Sequence, residues 1–157
     1  MRGKYFYEYA VIRLFPKVER EEFINIGIIL FSKEAKYIGM KYRPDIEQIC
    51  RTATELYFDL LGNTLKSFSK ICNGDQSGGK IAEMDIAERF RWLTAVRSTC
   101  IQTSRPHNGF TDNPEKKLDE LFAELVMYFL FSKKIHQICR EPEDCRNPYF
   151  VCGFYSY

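Results

Sequence analysis

Apolar and polar residues alternate from the beginning of the chain. Tyr5, Tyr7 and Tyr9 alternate with Phe6, Glu8 and Ala10, and Val11-Ile12-Arg13-Leu14-Phe15 follows until Pro16, which predicts a first strand. Lys17 to Glu21 is a charged connector. Glu22 to Phe31 predicts a second strand that is apolar at both parities, with Phe23, Ile29 and Phe31 on one side and Ile24, Ile26, Ile28 and Leu30 on the other. A strand of this kind belongs in the middle of a covered sheet, or has one face shielded by another chain. Ser32 to Lys36 turns the chain into a short third strand, Tyr37 to Tyr42, and such short connections make an antiparallel meander.

From Ile46 the spacing becomes helical. Ile46, Ile49, Cys50, Ala53, Leu56, Tyr57, Leu60 and Leu61 fall on one stripe, with a start at Pro44-Asp45 and a stop or kink at Gly62-Asn63. Leu65, Phe68, Ile71 and Cys72 continue the stripe, and the glycine-rich segment Asn73 to Lys80 reads as the most flexible loop. Asp85-Ile86-Ala87-Glu88 resembles a capping box opening a short helix that runs through Leu93. Ser98 to Thr103 alternates weakly and is a candidate fourth strand, and residues 104–113 read as a polar loop. Asp112 or Asn113 can cap a helix with Pro114 and Glu115 in its first turn and a stripe of Leu118, Leu121, Phe122, Leu125, Val126 and Phe129. The tail from Ser132 carries Pro142 and Pro148 and ends in a candidate last strand, Tyr149 to Tyr155. These elements predict an α+β domain spanning residues 1–157. Its mainly antiparallel sheet combines the N-terminal meander with a later strand, covered on one face by about three helices.

Composition narrows the class. A chain of 157 residues, 45% hydrophobic and 28% charged, is the size and make-up of one globular domain. The net charge of +2 leaves no third of the chain strongly basic, so the bulk charge carries no nucleic-acid footprint. Aromatic residues reach 15%, and this excess, with the doubly apolar second strand, makes a homodimer the expected assembly. The strongly apolar run Ile26 to Phe31 is far short of the ~20 residues that cross a bilayer. No apolar leader stretch opens the sequence, so the expected location is cytoplasmic. Six cysteines without a CxxC pair read as free thiols.

Several residues are candidates for chemistry. Arg20 and Glu22 share parity at the start of the second strand and form either an anion hook with a general base or an edge ion pair. Asn25 and Gly27 share the other parity. A buried Asn must hydrogen-bond, and Gly beside it invites a bulge, a bend or the close approach of a ligand or backbone. Arg13 is a charge in an apolar strand, and Glu22 across the hairpin is its expected partner. Arg105-Pro106-His107-Asn108-Gly109 runs toward the last helix start, where an anion can bind, although an Asp112 cap would occupy the same donors. His136, Cys139, Cys145 and Cys152 have the residue types of a zinc site but not its spacing, so no metal or cofactor is expected. Tyr5, Phe6, Tyr7 and Tyr9 with Lys4 and Arg13 could stack single-stranded nucleic acid, but no matching motif accompanies them. There is no Gly-x-Ser-x-Gly setting, and only two histidines are present to serve as bases. The leading expectation is a non-enzymatic binding or regulatory module using Arg13, Asn25, Arg105 and His107. The alternative is an enzyme acting on a phosphorylated or nucleic-acid substrate, which requires Arg20, Glu22, His107 and Asp112 to converge on one polar cleft.

Two stretches together resemble a bacterial family catalogued as domain of unknown function 3037. The first is Tyr9-Ala10-Val11-Ile12-Arg13, Pro16, Arg20, Glu22-Phe23, Asn25 and Gly27. The second is Arg89-Phe90-Arg91-Trp92-Leu93-Thr94, Arg97-Ser98, Ile101-Gln102-Thr103-Ser104, Gly109, Thr111-Asp112, Pro114 and Leu118 to Val126. The resemblance covers roughly residues 5–126 and leaves residues 132–157 as a divergent C-terminal extension. It implies a fold relationship without an activity. Because family members are often encoded beside HipA-like kinases, it also implies a protein partner of that kind.

Overall fold

The alternating N-terminal stretch forms one long strand, β1 (Tyr5–Lys17), around which the sheet is built. Along one side it pairs with β2 (Glu22–Ser32), which in turn pairs with β3 (Tyr37–Tyr42). Along the other side two short strands share its length: β4 (Ile101–Thr103) opposite Ile12 to Leu14, and β5 (His107–Thr111) opposite Tyr5 to Tyr9. Every pairing is antiparallel. This computed structural model describes residues 4–17, 22–43, 55–97 and 99–127. Arg20, Cys50, the helix start expected near Pro44, the zinc-type residues His136, Cys139, Cys145 and Cys152 and the expected last strand lie outside the described residues.

The second strand does not keep the simple alternation expected of it. Ile12 faces Gly27 and the next residue, Arg13, faces Asn25, so Ile26 is an extra residue in β2. This is a β-bulge, and it flips the parity of the strand on either side of itself. Ile24, Ile26, Ile29 and Phe31 therefore join one core, while Ile28 and Leu30 join the other. Gly27 permits it. A Cβ there would lie 2.7 Å from the Lys41 carbonyl oxygen and 2.9 Å from the Tyr42 Cβ, so β3 closes over a position that holds no side chain.

Both faces of the sheet are covered by this chain's own helices, which corrects the expectation of cover on one face. On the first face lie α1 (Glu55–Asn73) and α2 (Ile86–Leu93), packing Leu61, Leu65, Phe68, Ile71, Phe90 and Leu93 on Ile12, Leu14, Ile29 and Ile101. On the second lie α3 (Pro114–Phe122) and a π-helical turn, Ala123–Met127, packing Leu118, Leu121 and Val126 on Tyr7, Val11, Ile28 and Leu30. The double apolarity of β2 is thus satisfied within one chain, and the uncovered face that motivated a homodimer is absent.

The helix ends are closed by identifiable groups. α1 runs straight through Gly62, where a stop or kink was expected, and ends at Asn73. There the Gly74 N–H donates to the Ile71 carbonyl at 3.2 Å and the Asp75 N–H to Lys70 at 2.9 Å, a Schellman closure. Arg89 of α2 adds its Nη1, donating to the Ile71 and Cys72 carbonyls at 3.2 and 3.0 Å, which ties α2 to the end of α1. The segment expected to be most flexible holds a 3-10 turn, Gln76–Gly78, with the Asp75 carboxylate accepting from the Ser77 N–H at 2.9 Å. Asp85 caps α2 by accepting from the Ala87 N–H. For α3 the cap is Asn113 rather than Asp112, with its Oδ1 accepting from the Lys116 N–H at 3.1 Å.

Candidate functional site

The bulge sets Arg13 and Asn25 directly opposite each other on the α3 face of the sheet. Arg13 was expected to meet Glu22. The register is irregular again between Leu14 and Lys17, and Glu22 pairs with Lys17 instead. The neighbour that Arg13 does find is Phe23, whose ring centroid lies 4.3 Å from its Cζ, with Phe15 packed on Phe23 at 5.5 Å. A cation over a ring is worth about 0.5–2 kcal/mol depending on burial. Burial also pushes the Arg13 guanidinium below its ordinary pKa. Asn25 is buried and donates from Nδ2 to the Leu125 carbonyl at 2.9 Å. That carbonyl belongs to the π-helical turn, so Asn25 ties the bulge to the turn. The Arg13 Nε and the Asn25 Oδ1 are both buried without a partner among the described residues, so this spot presents one donor and one acceptor. Such a pair can hold a water or the polar group of a ligand.

Residues 104–113, expected to be a loop, contain strand β5. Together β4 and β5 form one edge strand interrupted at Ser104 to Pro106. At the break the Ser104 N–H donates to the Val11 carbonyl at 2.8 Å, and the Ser104 Oγ accepts from the Val11 N–H at 2.9 Å. The ladder to β1 therefore continues across a residue whose side chain takes over the acceptor role. Beyond the break, the Tyr7 ring lies over Gly109, where a Cβ would come within 2.6 Å of the Tyr7 hydroxyl. His107 packs on Tyr9 with centroids 5.4 Å apart. Tyr9 is half-buried beside Tyr7, Glu124 and Lys117, and burial, with Tyr7 and Glu124, raises its pKa. Tyr7 is buried beneath α3, so the tyrosine row is not an open platform for stacked bases.

The structure thus brings together Arg13 and Asn25, and places His107 on the opposite edge of β1 from Asn25, further along it, with the exposed Arg105 just before β5. It does not gather the catalytic candidates. His107 pairs with Tyr9 and Glu22 with Lys17, eight residues along β1, a separation of about 26 Å at the rise of an antiparallel strand. Asp112 is exposed beyond the end of β5 and does not reach the His107 position. His107 lies in β5, so Arg105 and His107 stand a strand's length before the start of α3 rather than at it. Among the described residues no group of three or more His, Cys, Asp or Glu could hold a metal. None of the helices described is long and apolar enough to cross a membrane.

Two features were missed by sequence reasoning. Phe110 on β5 is 66% exposed and makes an edge-to-face pair with the exposed Phe6, centroids 5.5 Å apart. Arg97 closes the end of α2. Its Nη1 donates to Leu93 at 3.0 Å and its Nη2 to Trp92 at 2.5 Å, and its Cζ sits 4.3 Å from the Trp92 ring centroid. A cation just past the last turn of a helix was the available signal for Arg97.

Fold and site together define an antiparallel α+β sheet covered by helices on both faces, with an exposed aromatic pair bridging the edge strand β5 and β1. A family model described as protein of unknown function (DUF3037) matches residues 9–126, well over half of the chain, and the chain belongs to that family. No curated protein and no solved structure matches it.

Proposed function

We propose that this protein is a non-enzymatic binding and regulatory module that takes an extended segment of a protein partner along β5. The observation that carries the reading is the β5 edge itself. Among the described residues β5 pairs only with β1, and it bears Phe110, which packs in solvent on Phe6 of β1. An unpaired strand edge is a template for a further strand, and exposed side chains beside it supply selectivity. His107-Asn108-Gly109-Phe110-Thr111 carries none of the lysines or prolines that usually guard such an edge. A HipA-like kinase is the first partner to try, as the family resemblance implies.

Phe110→Glu places a charge in the middle of this edge. Phe110 is largely exposed but pairs edge to face with Phe6, so the change should cost no more than about 1.5 kcal/mol. The test is co-purification with a HipA-like kinase, followed by mass measurement of the complex. The reading expects the wild-type chain to retain the kinase and Phe110→Glu to lose it while keeping a folded circular dichroism spectrum. Retention by both chains, or by neither, overturns it.

A further inference from the structure

Away from the β5 edge, α1, the end of α2 and β4 line a half-open cleft of about 320 Å³. That is the lower end of the volumes that hold small ligands. Its walls include the Phe68 and Trp92 rings, set edge to face at 6.2 Å, and its floor reaches Ile101 and the half-buried Cys100. Arg97 is the single charged residue in the lining, and no carboxylate accompanies it among the described residues. Burial lowers the pKa of this guanidinium. Its contacts to the Trp92, Leu93 and Ala95 carbonyls use three of its five N–H donors. Those carbonyls lie at or just past the C-terminal, negative end of α2, and the guanidinium also rests on the Trp92 and Phe68 rings, 4.3 and 5.2 Å from its Cζ, which leaves two N–H donors beyond these contacts.

We propose that this cleft is a binding site for a small planar aromatic anion, a single ring system carrying one carboxylate or sulfonate. The ring lies against the apolar wall of Phe68 and Ile101, and the acid group meets the remaining N–H donors of Arg97. A neutral ring of the same size gains the apolar contact but not the charge-assisted hydrogen bonds, which are the stronger kind. The site does not rest on the β5 reading.

Trp92 is the only tryptophan in the chain, so its indole N–H gives one identifiable signal in a nitrogen-proton correlation spectrum. The experiment titrates the full chain with 1-naphthoate and with 1-naphthalenemethanol, which has the same ring and no charge. The expected result is a saturable shift of the indole signal with naphthoate, at least about tenfold tighter than with the alcohol. Ser67 is exposed on α1 in the lining of this cleft, and Ser67→Phe places a bulky ring there while Arg97 itself is kept. This variant should keep its helical circular dichroism and lose the response. The absence of saturation overturns the proposal, as does equal binding of the alcohol or an undiminished response in a folded Ser67→Phe. If Ser67→Phe does not fold, the comparison of acid with alcohol on the wild-type chain still decides.

Discussion

Gly27→Ala tests the bulge that organises both the sheet and the Arg13–Asn25 pair. The added methyl would sit 2.7 Å from the Lys41 carbonyl oxygen, 2.9 Å from the Tyr42 Cβ and 3.1 Å from the Ile12 Cδ1. A carbon–oxygen contact is comfortable near 3.3 Å, so β2 and β3 must separate locally by about 0.6 Å. The nearest atom is backbone and cannot rotate away, which places the cost in the upper part of the overpacking range, about 2–3 kcal/mol. Restricting the unfolded chain returns about 0.4–1 kcal/mol. The net loss is about 1–2.5 kcal/mol, a fall in melting temperature of about 2–10 °C for a chain of this length. Thermal unfolding followed by circular dichroism at constant protein concentration reads this directly. A melting temperature equal to or above that of the wild type would refute the reasoning, because it would mean that β3 does not close over Gly27.

Gly62→Ala should move stability the other way. Its Cβ meets nothing within 4 Å inside α1, so the helix gains about 0.5–1 kcal/mol and the melting temperature rises by about 1–4 °C in the same assay. Asn25→Ala removes the donor to the Leu125 carbonyl and should cost about 1–3 kcal/mol, read as a lower denaturation midpoint in urea with an unchanged slope. The buried Cys72 thiol is pushed up from 9.0 to about 12 by burial, while Cys100 is half-buried. Peptide-resolved alkylation of the native protein at pH 8 should therefore label Cys100 well before Cys72, and equal labelling would contradict the placement of Cys72 in the core. The raised thiol also sets a sign for pH. The stability it contributes is fully present below about pH 9 and is lost as pH rises from there toward 12, because the unfolded chain gives up the proton first. Replacing Cys72 by Ser should flatten that part of the stability profile.

Much of the sheet was legible because strand period is a local property. β3 has its expected bounds, and β2 begins at the expected Glu22 and ends one residue later, at Ser32. The caps of α2 and α3 were legible for the same reason, since Asp85 and Asn113 act within three residues of themselves. What was not legible depends on two elements at once. The parity flip at Ile26 exists only relative to β1, and Gly27 announced a bulge without saying which residues would change sides. β5 was read as loop because His-Asn-Gly-Phe-Thr has weak strand propensity. It is a strand because it lies beside β1, with Tyr7 covering the bare Gly109. The Arg13–Glu22 pairing was not legible because the register seats Asn25 opposite Arg13, three residues from Glu22 along β2. Helical stripes give the width of an apolar face but not which side of the sheet it will cover. The split of α1 and α2 from α3 was therefore beyond a reading by period.

The substitution of a hydroxyl for a carbonyl at Ser104 also divides the sheet border into two cooperative units. Hydrogen bonding is continuous along β1, but the covalent edge strand is jogged between Ser104 and His107. A fluctuation that lifts His107 to Thr111 away from β1 can therefore stop at the jog and leave Ile101 to Thr103 seated. The border is built as a segment of five residues beside one of three. Partial opening of that kind sits at the low-energy end of native-state fluctuations. It would expose the inner edge of β1 to solvent without disturbing the core beneath α1 and α2.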